Sequence, residues 1–293
     1  MIRSLVGSAV AGLLGYTATK AILSSKLRTH DKVVRTNHAG HDVSLVEGPA
    51  VTAGLLAGSF LIEAPRQRAA TLLVTTVAGG LGAVDDFLES GESKGLRGHL
   101  SALAHGQITT GGIKVIGIPL ASIAAATILR TGTGTSTGNH GLFTSNSTTA
   151  DQTWFGSAID VVVTGGVIAG TANLFNLLDL RPGRALKAGL LTLSFMPHKH
   201  GLTWAPSAAI AGASAAAWPD DLDGAVMLGD TGANALGAAL GTIVAEKSTA
   251  TQRCLVLAGL AGLTLLSEKV SFTSIIESTP GLREIDAFGR EAM

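Results

Sequence analysis

Charge is what this sequence has least of. Only 14% of its 293 residues are Asp, Glu, Lys or Arg, where a soluble domain carries about 25%. So few charges cannot cover a water-facing surface, and a soluble globular protein is excluded. Aromatic residues are scarce as well, at 4%, and the single cysteine, Cys254, rules out an intrachain disulfide or a cysteine-based zinc site. Acidic and basic residues balance at 21 each, so net charge points to no charged partner of either sign. What the chain does have is apolar and small: 46% hydrophobic residues, 38 glycines and a mean hydropathy of +0.40. That composition describes an integral membrane protein whose helices pack through small faces.

Apolar runs long enough to suggest spans lie near 2–23, 48–64, 69–88, 112–129, 155–179, 185–197, 203–218, 231–246 and 252–270. The sixth and eighth are short. The first continues past Ala11 to Leu23 and reads as a retained helix rather than a signal peptide. The segment 131–150 is rich in Gly, Ser, Thr and Asn and reads as a loop. The expected fold is an all-α, polytopic membrane bundle of about 9–10 transmembrane helices, in one domain without internal repeats. Alternation of the spans puts loops 24–47, 89–111, 180–187 and 219–230 and the tail 271–293 on one side. That side carries twelve Lys and Arg against seven on the other, leaving out Lys20 and Lys114 at span edges. The positive-inside tendency assigns it to the cytoplasm of a cell membrane.

The same side collects acids at span ends. The run 69–88 is uncharged until Asp85-Asp86, and Asp179 and Asp230 also border apolar runs. Carboxylates in the hydrocarbon would cost several kcal/mol each, whereas at the headgroup level they meet water and cations. Four at one face suit a hard divalent cation such as magnesium, which takes one or two carboxylates and completes its shell with water and phosphate oxygens. The plainer alternative is a set of solvated helix ends that share no site. Asp160 falls inside a span, toward the outer half. His198-Lys199-His200 lies on the side away from the acids and reads as a solvated turn.

Three elements, in order, resemble the polyprenyl-phosphate N-acetylhexosamine-1-phosphate transferase family, the membrane enzymes that include phospho-N-acetylmuramoyl-pentapeptide translocase. They are Asp85-Asp86-Phe87-Leu88 with Lys94-Gly95-Leu96 downstream, Asn173-Leu-Phe-Asn176-Leu-Leu-Asp179, and Leu228-Gly229-Asp230-Thr231-Gly232. The likeness covers roughly residues 30–270. It implies transfer of a phospho-sugar from a UDP-sugar to a polyprenyl phosphate within the membrane lipid, releasing UMP, with no nucleic acid involved and a homodimer left open. Asp85, Asp86, Asp179 and Asp230 become the catalytic set. Magnesium, with manganese as the alternative, would lie at Asp230 with Asp179 or Asp85, and Asp86 would be a base or orienter for the lipid phosphate. Lys94, Arg97, Asn173, Asn176 and Arg35 would contact substrate.

The chain also departs from the family pattern. Glu89 stands where the family has Lys, Pro182 where it has a second Asp, and Ala233 where it has Ser. The family's His-rich loop has no counterpart; its place is taken by Ser278-Thr-Pro-Gly-Leu-Arg283-Glu-Ile-Asp286-Ala-Phe-Gly-Arg290. These losses keep a second expectation in play: a catalytically silent relative that binds lipid phosphate or serves as a scaffold in envelope assembly.

Overall fold

The computed structural model describes residues 2–36, 40, 42–88, 98, 105–106, 109–130, 148–196 and 204–290. Among them the chain forms an all-helical bundle. Its helices are α1 (Ile2–Leu23), α2 (Glu47–Ser59), α3 (Pro65–Leu88), α4 (Thr110–Arg130), α5 (Thr148–Leu178), α6 (Arg184–Phe195), α7 (Trp204–Leu222), α8 (Gly229–Lys247) and α9 (Ala250–Ser267). Two short helices, α10 (Phe272–Ser278) and α11 (Leu282–Ala287), follow in the tail. The nine apolar runs correspond to α1–α9. Five of these, α1, α3, α4, α5 and α9, are long and apolar enough to cross a membrane. Helices α2 and α6, at 13 and 12 residues, reach only about 20 Å, less than the roughly 30 Å of a hydrocarbon core.

Helix α8 is the axis of the bundle. Of the runs read from sequence it was among the shortest, yet it extends over 19 residues and is buried almost throughout. It packs against α2, α3, α5, α6 and α7. Gly and Ala make this possible. A side chain at Gly237 would stand 2.7 Å from the α5 backbone at Ala172, and one at Gly241 2.9 Å from Ile168. Close backbone approach supplies the dispersion contacts that hold helices together where lipid is as apolar as the protein. Around this axis α1 packs on α2 and α7, while α4 joins α3 to α5, and α9 closes against α5.

A two-stranded antiparallel hairpin, β1 (Val34–Thr36) and β2 (Asp42–Ser44), precedes α2. Its second strand is tied to the turn before α8: the Ser44 N–H donates to the Ala225 carbonyl at 3.2 Å and the Met227 N–H to the Ser44 carbonyl at 3.0 Å. The segments 24–47 and 219–230, expected on one side, are therefore in contact. This end of the bundle gathers the start of α2, the end of α7 and the start of α8.

The tail docks at this end. Arg184, buried at the start of α6, donates from Nε and Nη2 to the two Asp286 oxygens at 2.7 and 3.1 Å, and from Nη1 to Thr273 at 2.9 Å. Lys187 donates to the Asp286 carbonyl at 2.5 Å, and Arg290 to its carboxylate at 2.7 Å. Pro182 and Gly183, the latter with φ +74°, make the turn that presents Arg184 to the tail.

The far end of α8 carries a different network. Asp160 of α5 is paired with Arg130 of α4 at 3.3 Å and with Arg253 of α9. Glu246 accepts from Gln67 of α3, and Arg130 also reaches the Ala245 carbonyl at 3.0 Å. Asp160 therefore lies well away from Asp230, as its place in the sequence suggests.

Candidate functional site

Asp86 sits one helical turn beyond Gly82, on the same face of α3. At Gly82 a Cβ would collide with the Asp230 carbonyl, so only glycine lets the start of α8 rest against α3 there. One turn on, the Asp86 carboxylate meets that helix end. Its Oδ1 accepts the Asp230 N–H at 2.9 Å, and its Oδ2 accepts the Thr231 N–H at 2.8 Å and the Thr231 hydroxyl at 2.6 Å. Helix α8 has no cap from its own N-cap residue, Leu228. Asp86 supplies one from another helix, satisfying amide donors that would otherwise be orphaned and placing negative charge at the positive end of the helix dipole. Gly229, at φ +58°, has no room for a side chain: a Cβ would come within 2.9 Å of Asp86 Oδ2.

Asp85 is turned the other way. Lys114, in the first turn of α4, donates to Asp85 Oδ2 at 2.6 Å and to Asp230 Oδ2. Thr109 sets this turn, its Oγ1 accepting the Gly112 N–H at 3.0 Å. One ammonium thus bridges two carboxylates from helices distant in sequence, with all three side chains largely shielded. The second oxygen of Asp85, Oδ1, is buried and has no hydrogen-bond partner.

Three further acids approach from other directions. Asp179 directly follows α5, and its Oδ2 is buried without a partner. Its strongest electrostatic neighbours are Asp221, Asp230 and Asp86. Glu47 opens α2 and is completely buried, with both carboxylate oxygens unpartnered. Asp221, at the end of α7, is buried as well and is the strongest charge acting on Glu47. Asp220 turns outward to Lys20 at 3.3 Å and Arg28 at 2.7 Å, and Asp223 is exposed.

The structure therefore brings Asp85, Asp86, Asp179 and Asp230 to one end of the bundle. It does not bring all the expected substrate contacts with them. Arg35 is exposed on β1 and donates to the Lys32 and Val34 carbonyls at 3.2 and 3.0 Å. Asn173 donates to Thr264 of α9 at 3.0 Å, which makes it a clip between helices. Asn176 is half-buried on α5. Lys94 and Arg97 lie outside the described residues. Two residues escaped the reading of the sequence. Lys114 had been set aside as a span edge, although an antiparallel α3–α4 pair places it level with Asp85. Glu47 is an acid at the start of an apolar run on the same side, the very signal used for Asp85.

Among the described residues, no three His, Cys, Asp or Glu side chains are grouped closely enough to hold a metal ion by themselves. A cage of that kind is not what magnesium needs. The buried, unpartnered oxygens of Asp85 and Asp179 are hard donors of the right type, and the Lys114 ammonium already holds a positive charge between Asp85 and Asp230. The residues present fit a hard cation that takes its remaining ligands from water and phosphate.

No protein-family model matches the chain, and no curated protein matches it either. The family resemblance rests on the three sequence elements alone.

Proposed function

We propose that the carboxylate end is the active site of a phospho-sugar transferase facing the cytoplasm of a cell membrane. It passes a hexosamine-1-phosphate from a UDP-sugar to a polyprenyl phosphate. What supports this reading is the convergence of Asp85, Asp86 and Asp230, the last two 144 residues apart, on one lysine and one helix start. An oxygen of the lipid phosphate attacks the sugar-bearing phosphorus of the donor, the bond to the bridging oxygen breaks, and UMP leaves. Bound magnesium, or manganese in its place, would neutralise the donor diphosphate. Asp230, Asp179 and Asp85 are the residues to hold it.

Lys114 carries a second positive charge to the same place and would contact phosphate oxygens if a bound cation engaged Asp85 and Asp230. Asp86, its oxygens engaged by the α8 start, fixes the position of Asp230 rather than accepting a proton. No base is required, because a phosphate dianion is a nucleophile near neutral pH.

The silent, lipid-phosphate-binding relative stays as a second reading, favoured by one observation: Lys114 alone already satisfies one oxygen each of Asp85 and Asp230. The experiment that separates the two is to incubate purified protein with magnesium, polyprenyl phosphate and a panel of UDP-sugars and to assay UMP. Release with one donor is the expected result; release with none favours the silent relative.

A further inference from the structure

Between α5, α6, α8 and α9 runs a groove of about 490 Å³, within the size range of small-molecule sites. Phe175, Val244 and Leu260 are among its apolar walls, and Lys247, Ser248 and Gln252 line it where α8 ends and α9 begins. It is apolar along its length and polar at one end, the shape of an amphiphile.

The charges at that end decide the sign of the head. Asp160 is taken by Arg130 and Arg253, while Glu246 accepts a hydrogen bond from the neutral Gln67 and has Lys247 as the cation acting on it most strongly. Arg253 is buried and committed to Asp160 and to the Ser248 carbonyl, which it reaches at 2.6 Å. Lys247 has no ion pair among the described residues and is the surplus cation of this end. Gln252 spends its amide oxygen on the Thr249 N–H at 2.8 Å, which leaves its NH₂ as a donor. A cation and amide donors at the end of an apolar groove match a phosphate head on an apolar chain. In this network three cations, Arg130, Arg253 and Lys247, face two acids, Asp160 and Glu246, so the surplus charge is positive and favours an anionic head over a zwitterionic one.

We propose that this groove binds one anionic membrane lipid, with its phosphate at Lys247 and a chain lying along α8. The site is distinct from the carboxylate end. Asp230 and Lys247 are seventeen residues apart on one helix, about 25 Å at the α-helical rise. A phosphate held at Lys247 is therefore out of reach of Asp85 and Asp230, and the lipid is not the reacting one. The site stands whether or not the protein is a transferase.

Native mass spectrometry of the purified full-length protein, offered equal phosphatidylglycerol and phosphatidylcholine, tests this directly. Wild type should retain one phosphatidylglycerol at about fivefold excess, the preference expected from one lysine at a membrane surface. Lys247→Gln should bring the ratio to parity. Thr192→Trp, which fills the groove from α6, should lower retention of both lipids; Val256→Trp, from α9, serves if that variant fails to fold. Equal retention by wild type, or a preference that survives Lys247→Gln, overturns the proposal.

Discussion

The two ends of α8 are both polar, and they are polar in opposite ways. At the far end the two acids of the network are engaged: two arginines hold Asp160, and Glu246 accepts from Gln67. The buried atoms left without partners there are one acceptor, Gln67 Oε1, and one donor, Arg253 Nε. At the carboxylate end such atoms, among the described residues, include carboxylate oxygens of Glu47, Asp85 and Asp179. The far end is a closed structural clasp. The other end keeps unpartnered carboxyl oxygens in reserve, which costs stability unless something binds them. A protein under selection for stability alone would not leave it so.

The comparison breaks most sharply on activity. Asp230→Asn keeps size and hydrogen bonding but removes a charge, and should cut UMP release at least about 100-fold, the loss expected for a principal cation ligand. Asp160→Asn should leave UMP release within a few-fold of wild type. Equal losses from the two substitutions would mean that the ends do not differ in kind.

Next comes stability. Lys114→Met leaves Asp85 and Asp230 facing each other with no counter-charge, and should cost about 3 kcal/mol in reversible unfolding from mixed micelles. Arg253→Met should cost less, because Arg130 remains on Asp160 at 3.3 Å. A larger loss from Arg253→Met would reverse the assignment of clasp and reserve. A smaller effect still is expected at the cap: Asp86→Ala should cost about 1–2 kcal/mol, with a larger fall in kcat than in donor affinity if Asp86 positions Asp230 rather than touching substrate.

How much of this could be read beforehand follows from what each residue interacts with. The all-α bundle was legible because apolar runs report on lipid, a neighbour present everywhere. The acids Asp85, Asp86, Asp179 and Asp230 were legible because polar residues at span ends are conspicuous against such runs. The clip between Asn173 and Thr264 was not legible, because the two lie 91 residues apart and no local pattern announces a contact between helices. The role of α8 as the axis was hidden for a related reason. Its Gly and Ala give a weak hydropathy signal, and close packing depends on the shape of its neighbours more than on its own sequence. The docking of the tail through Arg184 and Asp286 joins two segments 102 residues apart, which composition cannot foresee.

The smallest predicted effect concerns that tail, which borders the carboxylate end. Burial raises the pKa of the Asp286 carboxyl, but hydrogen bonds and charge from Arg184, with the charge of Arg290, outweigh it and hold the group below its ordinary value. A lowered pKa means that docking is favoured above the usual Asp range and weakened as pH falls through the lowered value. A nitroxide at Ser278→Cys, on a background in which the exposed Cys254 is replaced by Ser, should stay immobilised at neutral pH. It should be released only below about pH 4, the ordinary range for Asp. Release near pH 6 would assign the transition to a different group.

The burial of α8 also constrains how the protein is made. The helix carries Asp230, Asn234, Thr242 and Glu246 and is poorly suited to entering lipid alone. Each of the helices that enclose it, α2, α3, α5, α6 and α7, precedes it in the chain. Since synthesis proceeds from the N-terminus, the slot for α8 is complete before α8 emerges. The order of the segments therefore acts as an assembly schedule, in which a helix poorly suited to lipid is delivered only after the helices that build its site.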